Sequence, residues 1–185
     1  MAKKIKFPKV IAYTDGSYIN TTDAGGWAAY IESEQGQDIT ISGGTINTSN
    51  NRMEMYAILM VLRTLTVPCD LVIYSDSQYC INGIMDWMYK WARKNWMRDG
   101  ELIPNHDLWM EIYDEVQKMN SVTCHWVKGH NGDPNNELVD GLAQYWSRLV
   151  KPTPEQQRIQ AAKQKSKPKS KYKYWLQAKK KKYRD

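Results

Sequence analysis

Residues 70–75, DLVIYS, form a nearly continuous apolar run that ends at Asp76. A strand exposed on one face alternates apolar and polar residues, whereas a strand without that alternation must be covered on both faces. The chain therefore needs a sheet with helices on either side. Around this run the pattern supplies them. Lys9 to Thr14 is a short β-rich run ending at Asp15; WAAYIESE, a turn near Gln35-Gly36 and DITISGGTI complete a three-stranded meander. The cluster Ser49-Asn50-Asn51 can cap a helix whose apolar positions are Met53, Tyr56, Ala57, Met60, Val61 and Thr64, with Pro68 as its stop. A short helix is expected from Ser77 to about Met85, a second from His106 to Met119, the strand VTCHWV after it, and a last helix from about Glu137 to Leu149. The order is βββαβα, an insertion, then αβα, which predicts an α/β domain with a mixed sheet.

Length and charge set the organisation. With 185 residues, a domain of about 150 residues plus an appendage is expected, and Pro152 and Pro154 mark the boundary. We read 1–150 as the domain and 151–185 as a Lys-rich C-terminal tail, partly helical or disordered. Thr153-Pro154 can open a short helix through Gln164, with Thr as the cap and Pro at the first position. The tail carries eleven Lys and two Arg against Glu155 and Asp185, a balance of +11, so the +6 of the whole chain leaves the body at −5. Cys69, Cys80 and Cys124 are widely spaced and odd in number, which excludes a zinc ribbon or a disulfide framework and fits small apolar side chains of a reduced protein. The N-terminal MAKKIKFPKVIAY lacks the apolar core of a signal peptide, and no stretch approaches a membrane span. A cytoplasmic protein, monomeric and without membrane contact, is the expectation.

Asp15 in YTDGSY and Asp76 in YSDSQY each follow an apolar strand. Ligands of open α/β sheets gather near strand termini, where neighbouring strands diverge. A single Asp at such a place is more often a turn or cap residue, but two in matching contexts are harder to explain that way. Glu54 falls in the first turn of the helix after NNRM, where a carboxylate also suits the helix N-terminus, and Asp140 lies in the last helix. Converging carboxylates repel one another unless cations neutralise them, and hard oxygen ligands suit Mg²⁺ or Mn²⁺.

The motifs YTDGSY, TSNNRMEM, YSDSQY and WVKGHNGDPNNELVDGLA occur in the order and at the spacing of type 1 ribonuclease H, which the chain resembles over about residues 8–148. That resemblance implies the RNase H-like fold, a five-stranded mixed sheet flanked by helices with a basic handle insertion at about 86–105. It also implies an endonuclease that hydrolyses the RNA strand of RNA–DNA hybrids, leaving 5′-phosphate and 3′-hydroxyl ends. Asp15, Glu54, Asp76 and Asp140 would hold two Mg²⁺ ions, with Mn²⁺ as a substitute, and His130 would assist proton movement. Gly16, Ser17, Tyr18 and Gln78 are implied to line the RNA minor groove, and Asn50 and Asn51 to reach base edges there. Thr21 departs from the family's usual Asn, with Asn20 beside it.

Within the insertion, Trp87, Trp91 and Trp96 alternate with Lys90, Arg93, Lys94 and Arg98. Trp residues four apart share a helix face and fit a core stripe, but interleaved cations also suit a channel for the DNA strand. Ser49 and Asn105 match the family's phosphate pocket. In the tail, alternating Lys residues carry Tyr172, Tyr174, Trp175 and Tyr183 among them. A solvated end is the plain reading, and nonspecific nucleic-acid binding by stacking and phosphate neutralisation is the functional one. A non-catalytic hybrid binder would lack reason for four carboxylates, and a transposase or integrase core would lack the KGHNGDPNNELVD motif. With Met1 opening the domain, no polymerase is expected upstream as in a reverse transcriptase.

Overall fold

The structure, a computed structural model, describes residues 6–34, 36, 38–129 and 132–158. Five strands form one sheet: β1 (Lys9–Ile19), β2 (Ala24–Ser33), β3 (Ile39–Ile46), β4 (Asp70–Ser75) and β7 (Ser121–Trp126), in the spatial order β3-β2-β1-β4-β7. β1, β2 and β3 are antiparallel neighbours, while β4 runs parallel to both β1 and β7. The apolar run that set the fold is thus the strand between two parallel partners.

β1 corrects one expectation. It does not end at Asp15 but continues to Ile19, because β2 goes on pairing with it as far as Ile19 opposite Ala24. Its parallel pairing with β4 does stop early, at Tyr13 opposite Tyr74. Asp15 therefore stands inside a strand, two residues past the point where β1 and β4 part.

Alternate residues of β1 and β2 serve opposite faces, as the two-residue period of a strand requires. Val10, Ala12, Ala29 and Ile31 join Leu71 and Ile73 of β4 in the larger core under helix α1 (Asn50–Thr64) and helix α4 (His106–Val116). Tyr13, Ala28 and Tyr30 pack on the other face against Val139, Leu142 and Ala143 of helix α5 (Pro134–Leu149). On that second face Tyr13, Tyr74 and His125 stack across three strands, with ring centroids 5.1 and 5.5 Å apart. All three cysteines are buried and free, as the spacing implied.

The helices begin where polar side chains can satisfy their first N–H groups. Ser49 caps α1, accepting from Arg52 N at 3.4 Å, and α1 closes at Leu65, before Pro68. α5 starts at Pro134 rather than near Glu137. Asp133 accepts from the N–H groups of Asn135 and Asn136 at 3.0 and 3.1 Å, and proline suits the first helical position because its missing N–H is no loss there.

The segment after β4 also differs from expectation. Instead of a short helix and a break at 86, α2 (Gln78–Asn82) runs through a π-helical turn (Gly83–Trp87) into α3 (Met88–Ala92). Trp87 and Trp91 are thus helical neighbours. A small hairpin follows, β5 (Met97–Arg98) and β6 (Glu101–Leu102), joined by Asp99 and Gly100, both at positive φ as a two-residue turn demands.

The chain divides into two units, Met1–Lys151 and Pro152–Asp185. In the second, residues 154–158 are helical and open with a capping box. Gln156 N donates to Thr153 Oγ1 at 3.3 Å, and Thr153 N donates to Gln156 Oε1 at 2.8 Å. The remainder of the expected helix and the aromatic Lys-rich run lie outside the described residues.

Candidate active site

The parting of β1 from β4 leaves a gap, and four acids from four elements face it. Asp15 comes from β1, Asp76 from the residue after β4, Glu54 from the first turns of α1 and Asp140 from α5. Together with Gly16, Ser17, Tyr18, Ile19, Asn50, Gln144, Ser147 and Arg148 they line an open, mostly polar cleft of about 330 Å³. α1 can bring Glu54 so close to β1 only because residue 16 is glycine. A Cβ there would collide with the backbone of Met53 and Glu54. Gly26 does the same for α5, since a side chain at that point of β2 would strike the backbone of Ala143 and Ser147.

Asp15, Glu54 and Asp76 each offer a carboxylate oxygen within 4.8 Å of the others. Asp15 and Glu54 are buried, and Asp76 is less so. Burial first, then the charge of Asp76, pushes Asp15 up to about 8; the Gly16 N–H, donating to Oδ1 at 2.7 Å, opposes the shift, and Asp140 adds to it. Burial also raises Glu54 well above the usual carboxylate range, followed by the charges of Asp15 and Asp76. Glu54 Oε2 is buried without a hydrogen-bond partner among the described residues.

These observations test whether the site suits cations. Buried polar atoms are nearly always partnered, and clustered acids raise each other's pKa. Three crowded carboxylates, one with a buried oxygen that lacks a hydrogen-bond partner, are a poor arrangement for a protein alone and a good one for hard divalent cations, which take oxygen ligands. The donor set fits. Asp140 shares the cleft but stands outside the tight trio; Gln144 Nε2 donates to its Oδ1 at 2.7 Å.

Gly16, Ser17, Tyr18 and Asn50 line the cleft itself. Asn51 and Gln78 are exposed at the starts of α1 and α2. Ser49 and Asn105 flank Arg52, which sequence reasoning missed. Arg52 Nη1 donates to Asn105 Oδ1 at 3.4 Å, and its guanidinium grips Asp107 through Nη1 at 2.9 Å and Nη2 at 2.7 Å. The same bonds hold Asp107 below its ordinary value. Arg52 thus ties the start of α1 to the start of α4, the two ends that carry Ser49 and Asn105. A cation two residues from Glu54 in NNRME was the available signal.

In the Trp-rich segment the rings contact each other and the core. Trp87 and Trp91 lie 5.7 Å apart, and Trp91 lies 5.6 Å from the fully buried Trp109. With Tyr79, Arg98, Ile103 and Pro104, Trp87 and Trp91 line a cavity of about 300 Å³. Trp96 stands apart from this group, edge-on to Tyr113. Lys90, Arg93 and Lys94 are exposed, and Lys90 pairs with Asp86 at 2.6 Å. Residues 86–105 hold four basic and three acidic side chains, so the segment is barely basic. Asp86, Asp99 and Glu101 offset most of its four cations. His130 lies outside the described residues. Its neighbour Gly129 approaches Asp76 so closely that a Cβ there would sit 2.8 Å from Oδ2.

Residues 8–148 match the family model described as RNase H. The chain is 44% identical over 132 residues to the ribonuclease H of Xanthomonas campestris pv. campestris (strain 8004), covering 71% of this chain and 87% of that protein. It is 42% identical over 136 residues to the ribonuclease H of Cupriavidus metallidurans, covering 73% and 92%. Among solved structures it resembles LC9-RNase H1, a type 1 RNase H with the type 2 active-site motif, at a TM-score of 0.70 and 26% identity, over 79% of this chain and 75% of that one. No described helix is long and apolar enough to cross a membrane.

Proposed function

Because the chain belongs to the RNase H family, we propose that it is an endonuclease hydrolysing the RNA strand of RNA–DNA hybrids. The observation that carries this is the trio Asp15, Glu54 and Asp76, with one carboxylate oxygen of each within 4.8 Å of the others, and a Glu54 oxygen buried without a hydrogen-bond partner. Such a trio has no structural purpose, since each member is made costlier by the others.

Asp15, Glu54, Asp76 and Asp140 are the residues that would hold two Mg²⁺ ions, with Mn²⁺ as a substitute. When bound, such a pair of ions supplies an activated water and neutralises charge on the leaving 3′-oxygen. The protein's own contribution is placement. The Gly16 N–H fixes the Asp15 carboxylate, and the burial of Asp15 and Glu54 keeps water from competing for their oxygens. Ser17, Tyr18 and Asn50, beside the acids, are suited to reading 2′-hydroxyls, and Gln78 and Asn51 extend that surface. His130, which follows Gly129 in the chain, is assigned a role in moving protons near neutral pH.

The DNA strand is assigned to the other side. Ser49 and Asn105, braced by Arg52, form a phosphate pocket; Trp87 and Trp91 present ring faces, with Trp96, Lys90, Arg93 and Lys94 beyond them. Because this handle is barely basic, the +11 tail is assigned the nonspecific affinity, as a tether that raises local hybrid concentration. The protein works as a cytoplasmic monomer in this reading.

The test is cleavage of end-labelled hybrid, duplex RNA, duplex DNA and single-stranded RNA with Mg²⁺, by the wild type and Asp76→Asn. Cutting confined to the RNA of the hybrid, abolished by the substitution and by EDTA, is expected. Binding without cutting by the wild type would overturn the proposal. Truncation after Val150 should raise KM and flatten its salt dependence at constant kcat; an unmoved KM at every salt concentration removes the tether.

A further inference from the structure

One and two turns of α5 beyond Asp140, the polar side chains of Gln144 and Arg148 line the cleft without a part in the reading above. Gln144 Nε2 donates to Asp140 Oδ1 at 2.7 Å, and Arg148 Nη2 donates to Gln144 Oε1 at 3.0 Å. All three line the same cleft as Asp15, Glu54 and Asp76. Their spacing of four residues puts them on one helix face. That face is anchored below, where Ser147 Oγ donates to the Gln144 carbonyl at 2.9 Å and lies 3.1 Å from Ser17 Oγ of β1.

The direction of this chain is forced by chemistry. An amide has one donor end and one acceptor end and can be reversed by rotation about its last bond. A guanidinium only donates, so of the two ends of the amide Arg148 can bond only the oxygen. The amide nitrogen is then turned toward Asp140, where it meets an acceptor. Asp140 and Arg148 thus hold the amide in the same sense, and without Arg148 its oxygen loses that donor and the amide is held from one end only.

We infer that Gln144 and Arg148 are a positioning pair: Arg148 sets the orientation of the Gln144 amide, and Gln144 holds the Asp140 carboxylate in the geometry needed for cation binding. The inference rests on the assignment of Asp140 to the cation site. Asp140 is the acid that needs such help, since it lies outside the tight trio and on a different face of the sheet from Glu54. Partners of this kind, which orient a ligand without touching the ion, change metal affinity or activity by about 10- to 100-fold when removed.

The experiment compares Gln144→Ala, Arg148→Ala, Arg148→Lys and the double alanine variant in the full chain, with Asp140→Asn as reference. Mn²⁺ binding without nucleic acid is followed by electron paramagnetic resonance, and kcat and KM are measured on hybrid across Mg²⁺ concentrations. Gln144→Ala and Arg148→Ala should each weaken Mn²⁺ binding and lower kcat about tenfold, with KM for hybrid unchanged. The double variant should be no worse than Gln144→Ala alone, because one substitution already breaks the chain. Arg148→Lys, which keeps a donor, should stay within about threefold of wild type. Additive losses would overturn the inference. So would an Arg148→Ala protein with raised KM, a flatter salt dependence and unchanged kcat, which would make Arg148 a phosphate contact. If Asp140→Asn is inactive while Gln144→Ala is not impaired, only the positioning pair is lost. If Asp140→Asn keeps full activity, the assignment of Asp140 itself is wrong.

Discussion

The acidic cleft and the Trp-rich segment lie at opposite extremes of local satisfaction. In the cleft, four acids crowd together, Asp15 and Glu54 are held far above their ordinary pKa, and a buried oxygen goes unpartnered. In the segment from Tyr79 to Trp109, nearly every ring meets another ring, and the Trp109 and Asn105 side chains both donate to the Tyr79 hydroxyl, at 2.9 and 3.2 Å. Both regions were picked out in the sequence by residue type. Only the first is arranged in a way that opposes folding, and such arrangements persist when function needs them. The second is core that also has a face to offer.

If that contrast is right, substitutions should separate activity from stability in opposite directions. The largest effect is expected for Asp15→Asn. Removing one member of a two-ion set should cost at least about a thousandfold in kcat. The same variant should raise Tm in EDTA at neutral pH by roughly 5 °C, because Asn is buried without having to take up a proton on folding, as Asp15 must. Calorimetry beside a cleavage assay reads both. An Asp15→Asn protein less stable than wild type in EDTA would break the comparison at its acidic end. Trp109→Ala is the mirror case. This side chain is fully buried among Tyr79, Trp91 and the close approach of Gly83, so its loss should destabilise by about 3–5 kcal/mol. The molecules that remain folded should keep most of their kcat.

The acids also fix how stability follows pH. Asp15 titrates near 8 in the folded protein against about 3.8 when unfolded, so between those values the folded state holds the extra proton. Stability of the ion-free protein should therefore fall as pH rises from about 4 to 8, and be fully present only below that window. Urea unfolding in EDTA at several pH values measures the slope. Asp15→Asn should flatten it, and Mg²⁺ should abolish it by stabilising the ionised site.

Much of this was legible before any coordinates. The apolar run 70–75 marked an interior strand, beside the central β1, and the matched contexts of Asp15 and Asp76 located the cleft. What could not be read were pairings that depend on a distant strand. Asp15 looked terminal because the apolar pattern stops there, yet β2 carries β1 on to Ile19. The π-helical turn at Gly83–Trp87 was hidden for a similar reason: its glycine, a usual breaker, is required by the ring of Trp109, twenty-six residues on. Asp133-Pro134 was a readable helix start, a capping Asp followed by proline at the first helical position. Gln144 and Arg148 gave no signal, since their meaning lies in an acceptor two turns away and a cleft formed by other elements.

The middle of the comparison is Trp91, half-buried against the core yet lining an open cavity with Trp87 and Arg98. Trp91→Ala should lose about 2 kcal/mol of stability and raise KM for hybrid several-fold. Trp91→Phe should restore most of the stability and part of the affinity. If alanine leaves KM untouched, the ring is core alone.

The smallest effect is expected at Lys90, and it is the one that decides whether the segment does more than pack. The Lys90–Asp86 pair is more than half exposed on both sides, so breaking it should change stability by under about 1 kcal/mol. Any larger consequence of Lys90→Ala must come through nucleic acid. Neutralising a phosphate contact lowers the salt slope of binding by about one ion and weakens affinity a few-fold at low salt. Measured against Asp86→Ala, which frees Lys90 from its partner, the sign becomes diagnostic: a phosphate-binding lysine should bind hybrid more weakly when removed and more tightly when released. Equal, negligible shifts in both variants would leave the tail as the main source of cationic affinity.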